Sequence, residues 1–176
     1  MNENPTECKN GGIKSPRSMN KCICPDGVYG KDCSKNYNWM CGETVFLDDS
    51  NPSRRIDTYN PLFSRIDAKC DYVIRAPEGR KIRTRAVYGT TLTCSHGSYC
   101  PLDWLEIRDS GDFLAESTHL CCNSVLNYDR VSATEEVKVL FRSYRRLDSI
   151  KAVFEVELVW KRKRFYFISI FLRVNL

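Results

Sequence analysis

Ten cysteines in 176 residues constrain this chain more than any other feature. They are Cys8, Cys22, Cys24, Cys33, Cys41, Cys70, Cys94, Cys100, Cys121 and Cys122. An even count spread over loops and strand ends predicts a disulfide framework, since small secreted domains bury too little surface to hold without staples. The rival reading is zinc, which takes close C-x2-C pairs or Cys/His sets. The chain has no C-x2-C, and its histidines, His96 and His119, lack ligand spacing. Disulfides imply an oxidising compartment, so the expected location is secreted or extracellular. Met1–Thr6 has no apolar signal-peptide core, and the sequence is therefore expected to be a piece of a longer secreted protein.

The net charge of +5 is local. Residues 161–176 hold Lys161, Arg162, Lys163, Arg164 and Arg173 with no acid, and residues 1–160 carry as many acidic as basic side chains. That balance argues against a nucleic-acid-binding face. Phe165–Leu172 is apolar but far short of the ~20 residues a membrane-spanning helix needs. No transmembrane span is predicted, and 161–176 is expected to lie outside the folded domain as a basic and apolar tail.

Residues 8–33 read as one small unit. Cys8-Lys-Asn-Gly-Gly is followed by Cys22-Ile-Cys24-Pro-Asp-Gly and by Tyr29-Gly-Lys-Asp-Cys33. Glycines and prolines punctuate it with turns, and a unit below ~40 residues needs covalent support. The C-x-N-G-G opening, the C-x-C pair and the P-x-G-x-x-G-x-x-C ending resemble an EGF-like domain. The resemblance implies Cys8–Cys22 and Cys24–Cys33 pairing. The two cysteines that this unit lacks relative to the family are each other's partners there, so none is orphaned. The acidic segment of calcium-binding members is missing, and no calcium is expected in this unit. Residues 1–7 are read as a tail and 34–40 as a linker.

From Cys41 to Trp160 the pattern becomes period-two alternation. Ile82, Thr84, Ala86 and Tyr88 share one face of their segment. Leu105 and Ile107 stand opposite Glu106 and Arg108. Val137, Val139 and Phe141 form a third set; Phe154, Val156, Leu158 and Trp160 form a fourth, opposite Glu155 and Glu157. Such segments, bounded by turns, are half-buried antiparallel strands, and several together predict a β-sandwich or barrel.

The order Cys41-Gly, Cys70-Asp-Tyr-Val-Ile-Arg-Ala-Pro-Glu-Gly79, Cys100-Pro-Leu-Asp103-Trp-Leu-Glu-Ile-Arg-Asp109, Val137–Ser143 and Ala152–Val156 is similar to a CUB domain. The resemblance covers 41–160 and implies a jelly-roll β-sandwich with Cys41 paired to Cys70. It places Cys100 and Cys121 at the family's third and fourth cysteines. The extra Cys94 and Cys122 then suggest a neighbouring bridge, with the crossed pairing left open by the adjacent Cys121-Cys122. A Cys-x5-Cys answered by Cys-Cys, behind such an EGF-like unit, resembles the C-terminal, non-catalytic part of nematode astacin-type zinc metalloproteases. The expected fold class is thus mostly β, a CUB-type sandwich preceded by a small disulfide-rich EGF-like unit.

The H-E-x-x-H motif that would bind catalytic zinc is not in the sequence, nor is a nucleophile elbow or a phosphate loop. The chain is read as non-catalytic and without a cofactor. Many CUB domains hold calcium with several carboxylates. Of the three positions that carry those acids, only Asp103 matches; the others fall near Ser95 and on Tyr144. Asp103 is read as a remnant, and no metal is expected. Arg54-Arg55 and the cluster Arg142, Arg145 and Arg146 are candidate contacts to sulfated glycans or acidic proteins. The predicted function is an extracellular interaction module, the region that targets a secreted metalloprotease to substrate or matrix. The alternative is a free-standing EGF–CUB adhesion protein.

Overall fold

A computed structural model describes residues 6–37, 41–59, 68–87, 90–92, 100, 102–111, 117–144 and 151–159. Tyr88, Cys94, Ser95, His96, Arg145, Arg146, Trp160 and the tail 161–176 lie outside them.

The N-terminal segment is two small hairpins stapled by sulfur. Strands β1 (Ile13–Ser15) and β2 (Ser18–Ile23) pair antiparallel across the Pro16-Arg17 turn, and β3 (Val28–Tyr29) pairs with β4 (Lys35–Asn36). Bridges Cys8–Cys22 and Cys24–Cys33 hold them. Among the described residues the buried hydrophobic ones here are few, Val28 and the half-cystine Cys33, so the cross-links take over much of the work of a core.

The rest is a sandwich of two sheets. Its strands are β5 (Thr44–Phe46), β6 (Ser53–Asp57), β7 (Ala68–Arg75), β8 (Lys81–Ala86), β9 (Asp103–Arg108), β10 (Thr118–Leu120), β11 (Asp129–Val131), β12 (Glu136–Ser143) and β13 (Val153–Val159). One sheet runs β10-β9-β12-β7-β5 and the other β11-β8-β13-β6. Pairing is antiparallel except β5 on β7. A 3-10 helix, Cys122–Asn127, precedes β11.

The inward set is the one that alternation picks out. Ile82, Leu105, Ile107, Val137, Val139, Phe141, Phe154 and Val156 are fully buried between the sheets. Tyr72 meets Phe154 edge-on across the sheets at 5.5 Å. Cys41–Cys70 ties the approach to β5 onto β7, and Cys100–Cys121 ties the approach to β9 onto the end of β10. Closing the former loop, with a separation of 29, stabilises by ~3.5 kcal/mol in the chain-entropy picture. Cys122 is also disulfide-bonded.

The five-stranded sheet departs from simple alternation. Glu106, Arg108, Lys138, Leu140 and Arg142 point away from the core, yet all are buried. The half-buried strands expected from the sequence are here buried on both faces.

Candidate functional site

The cover over that outer face is the N-terminal unit. Its Pro25-Asp26-Gly27 turn reaches the centre of the sheet. Arg142, only 2% exposed, donates from Nε to Asp26 Oδ2 at 2.8 Å and from Nη1 to Asp71 Oδ1 at 2.5 Å. Arg108 donates from Nη1 to the Asp26 carbonyl at 2.7 Å and from Nε to Glu106 at 2.7 Å. At the rim, Lys138 Nζ donates to Asn10 Oδ1 at 3.4 Å, while Asn10 Nδ2 donates to the Cys33 carbonyl at 2.7 Å. One turn thus places a carboxylate and a carbonyl on two buried arginines.

Gly27 makes the approach possible. Its φ of +88° suits glycine, and a Cβ there would run into Leu140 Cδ2. Asp26, Tyr37, Lys69, Asp71 and Arg142 line a cavity of about 210 Å3 along the seam.

The two carboxylates facing Arg142 respond differently. Partial burial works against ionisation of Asp26, but the Arg142 hydrogen bond and charge outweigh it and hold its carboxyl below the ordinary value. Asp71 lies deeper, and burial pushes its carboxyl up despite the same arginine. Burial alone would lower Arg142, but Asp26 and Asp71 together raise it. Burial pulls Lys138 down, with Glu136 opposing.

Arg142 therefore does not sit on an exposed basic cluster, which corrects its reading as a partner-facing residue. Its charge is absorbed by Asp26 and Asp71. Arg145 and Arg146 lie outside the described residues. Asp103 is fully buried and accepts the Ser143 hydroxyl at 2.6 Å. Among the described residues no group of three His, Cys, Asp or Glu is placed to hold a metal, and no helix is long and apolar enough to cross a membrane. Arg54 pairs with Glu43 at 2.7 Å, and Arg55 lies 3.6 Å from Glu155.

The outer face of the other sheet is open. Arg83 grips Asp129 with two 2.6 Å bonds and reaches Glu157 at 3.2 Å. Arg85 grips Glu155 at 2.9 and 3.0 Å. Arg83 and Arg85 of β8 thus pair across strands with Asp129 of β11 and with Glu155 and Glu157 of β13.

Sequence reasoning missed Asp26, Asp71, Arg108 and Lys138 as seam residues. The only sequence signal is that Arg108, Lys138 and Arg142 share the parity opposite the core set, and that parity also reads as solvent.

This architecture is that of known CUB domains. The MASP-1 CUB2 domain bound to Ca2+ matches with a TM-score of 0.52 at 16% identity, covering 66% of this chain and 99% of that one. The CUB1-EGF-CUB2 region of human MASP-1/3 matches with a TM-score of 0.51 at 15% identity, covering 88% of this chain and 50% of that one. The protein is thus built on a CUB-type β-sandwich with several disulfides.

Its relatives by sequence are nematode zinc metalloproteinases of the astacin type. Zinc metalloproteinase dpy-31 of Brugia malayi is 32% identical over 143 residues, 79% of this chain and 24% of that protein. Zinc metalloproteinase nas-36 of Caenorhabditis briggsae is 30% identical over 146 residues, 81% of this chain and 23% of that protein. The chain spans about a quarter of the length of these relatives. No family model matches it.

Proposed function

We propose that this chain is a non-catalytic extracellular interaction module, the accessory region that places an astacin-type metalloprotease on its substrate or matrix. The observation that carries this reading is the extent of the similarity. It runs through most of this chain yet takes up only a quarter of each protease, and the chain's sequence contains no H-E-x-x-H. The chemistry of peptide hydrolysis would then belong to the parent zinc metalloendopeptidase.

In this reading residues 8–33 are the EGF-like unit, extended by β4 (Lys35–Asn36) of the expected 34–40 linker, which pairs with β3; 41–160 are the CUB unit and 161–176 a tail. The disulfides support an oxidising, extracellular setting. In this reading neither calcium nor nucleic acid is a partner. The partner is an extracellular protein or matrix component.

The test uses the full-length parent and a version lacking these residues. Both should cleave a short soluble peptide equally, and only the full-length form should be retained on extracellular matrix. Loss of peptide cleavage on removal of the region, or equal retention of both forms, would overturn the reading.

A further inference from the structure

We propose that Asn10 is a latent modification site, kept closed by the docking of the N-terminal unit on the five-stranded sheet. When the seam opens, the Asn10 side chain cyclises onto Gly11 and ends irreversibly as aspartate or isoaspartate. Asn10-Gly11 is the one Asn-Gly step in the sequence. Glycine has no Cβ to hinder its amide nitrogen, so in a flexible chain this is the asparagine context that cyclises most readily. The reaction is intramolecular. The Gly11 backbone nitrogen attacks Asn10 Cγ, the N–Cγ bond forms as the Cγ–Nδ2 bond breaks, and ammonia leaves with the Gly11 amide proton. Water then opens the cyclic imide. Opening at the side-chain carbonyl gives aspartate; opening at the backbone carbonyl gives isoaspartate, which lengthens the backbone by a carbon. The inference goes beyond the accessory role and does not depend on a parent protease.

The fold holds this step where it cannot close. Asn10 and Gly11 have φ of +49° and +73°, and Gly12 N donates to the Lys9 carbonyl at 2.9 Å. Two central residues with positive φ inside such a bond make a type I′ turn. The ψ of about +30° in such a turn holds the Gly11 nitrogen anti to Asn10 Cβ, so cyclisation needs a large rotation about the Asn10 Cα–C bond. Three contacts oppose that rotation. Lys9 N donates to the Asp32 carbonyl at 2.8 Å, and Asn10 Nδ2 to the Cys33 carbonyl at 2.7 Å. Both lie within the N-terminal unit. The third crosses the seam: Lys138 Nζ on β12 donates to Asn10 Oδ1 at 3.4 Å and ties the same amide to the sheet.

Protection depends on docking because the N-terminal unit has little core of its own. Among the described residues its buried hydrophobic side chains are Val28 and Cys33. Lys138 is 3% exposed, and it meets Asn10 because the Pro25-Asp26-Gly27 turn seats the unit on β9 and β12 through Arg108 and Arg142. Released from the sheet, the unit loses the Lys138 bond and relies on its two bridges and two short hairpins. The rate of conversion in the native chain is then the intrinsic rate multiplied by the fraction of molecules open at the seam. The step runs one way. Neither product has the Nδ2 that donates to the Cys33 carbonyl, and isoaspartate no longer has the backbone of a type I′ turn. A unit once converted returns to the sheet without that support.

The test follows Asn10 in the full chain, kept at neutral pH and sampled over weeks. Residues 10–14, released by trypsin, are separated by chromatography into asparagine, aspartate and isoaspartate forms. A free peptide of residues 7–13 gives the unprotected rate. The wild-type chain should convert at least about ten-fold more slowly than the peptide. Asp26→Ala loosens the latch without touching Asn10 and should speed conversion about five-fold. Lys138→Met removes the bond to Asn10 Oδ1, keeps the apolar stem, and should speed conversion by a similar factor. Circular dichroism matching the wild type checks that the sandwich is intact in both variants. Three results would each overturn the proposal. They are a wild-type chain that converts as fast as the peptide; two variants no faster than the wild type; or acceleration by Lys138→Met alone, which would put the protection in one bond rather than in docking.

Discussion

The two sheets of the sandwich carry similar side chains on their outer faces and use them differently. Each has a row of arginines and carboxylates at alternate positions. On β8, β11 and β13 the row is open to water, and Arg83 and Arg85 pair with acids across neighbouring strands. On β9 and β12 the row lies beneath the N-terminal unit, and Arg108 and Arg142 pair partly with a residue more than eighty positions away. Alternation alone does not say whether a charged sheet face is surface or interface. What decides is whether another part of the chain brings the complementary group.

That difference should be largest at Arg142. Removing one member of a buried charge group leaves the others unpaired, at ~3–5 kcal/mol. Arg142→Ala strands Asp71 inside the seam, and denaturant unfolding should show a loss in that range. A loss no larger than that of a surface substitution would mean that water reaches the seam and that the two faces are alike after all.

Gly27→Ala comes next. The added methyl meets Leu140 and must hold a φ of +88°, a combination worth ~1–3 kcal/mol. Leu140→Ala removes the obstacle, so the double variant should be more stable than the sum of the singles predicts. Strict additivity would show that the turn does not press on β12.

Asp26→Asn sharpens the comparison through pH. The Asp26 side chain is about half exposed, so losing its charge should cost only ~1 kcal/mol once solvent screening is allowed for. Its folded carboxyl lies below the ordinary 3.8. Its stabilisation is therefore fully present above that value and lost as pH falls through the folded one. The stability gap between wild type and Asp26→Asn should stay flat from neutral pH to about 4 and close below it. Asp71 has the opposite sign. Its raised carboxyl weakens the fold at neutral pH, and protonation relieves that on acidification, less in Asp26→Asn because the Asp26 charge is one cause of the raise. A gap that closes already near neutrality would mean that Asp26 is not held by Arg142.

The core was legible because burying one sheet face imposes a period of two, and Leu105, Ile107, Val137, Val139 and Phe141 obey it. The resemblance to CUB and EGF-like sequences added the class. The seam was not legible. Arg108, Lys138 and Arg142 occupy positions that the same period assigns to solvent, and their partners, Asp26 and Asn10, belong to a segment whose own pattern is only turns and cysteines. The short edge strands β5 and β10 were equally hidden, since three residues carry too little alternation to see.

The smallest effect is expected on the open face, where it tests the other half of the comparison. Arg83 makes two short bonds to Asp129 and a third to Glu157. Its geometry is as good as that of Arg142, yet its surroundings are water. Exposed pairs gain little because solvent screens the attraction and the long side chains lose freedom on pairing. Arg83→Ala should therefore shift the unfolding midpoint far less than Arg142→Ala, and added salt should shrink even that shift. Salt should leave the Arg142→Ala loss nearly unchanged, because ions do not enter the seam. Combining Arg83→Ala with Asp129→Ala should show weak coupling at low salt and none at high salt. If Arg83 proves as costly as Arg142, and as indifferent to salt, the outer face of the four-stranded sheet is not open in solution. It would then be a second covered face, with a partner still to be found.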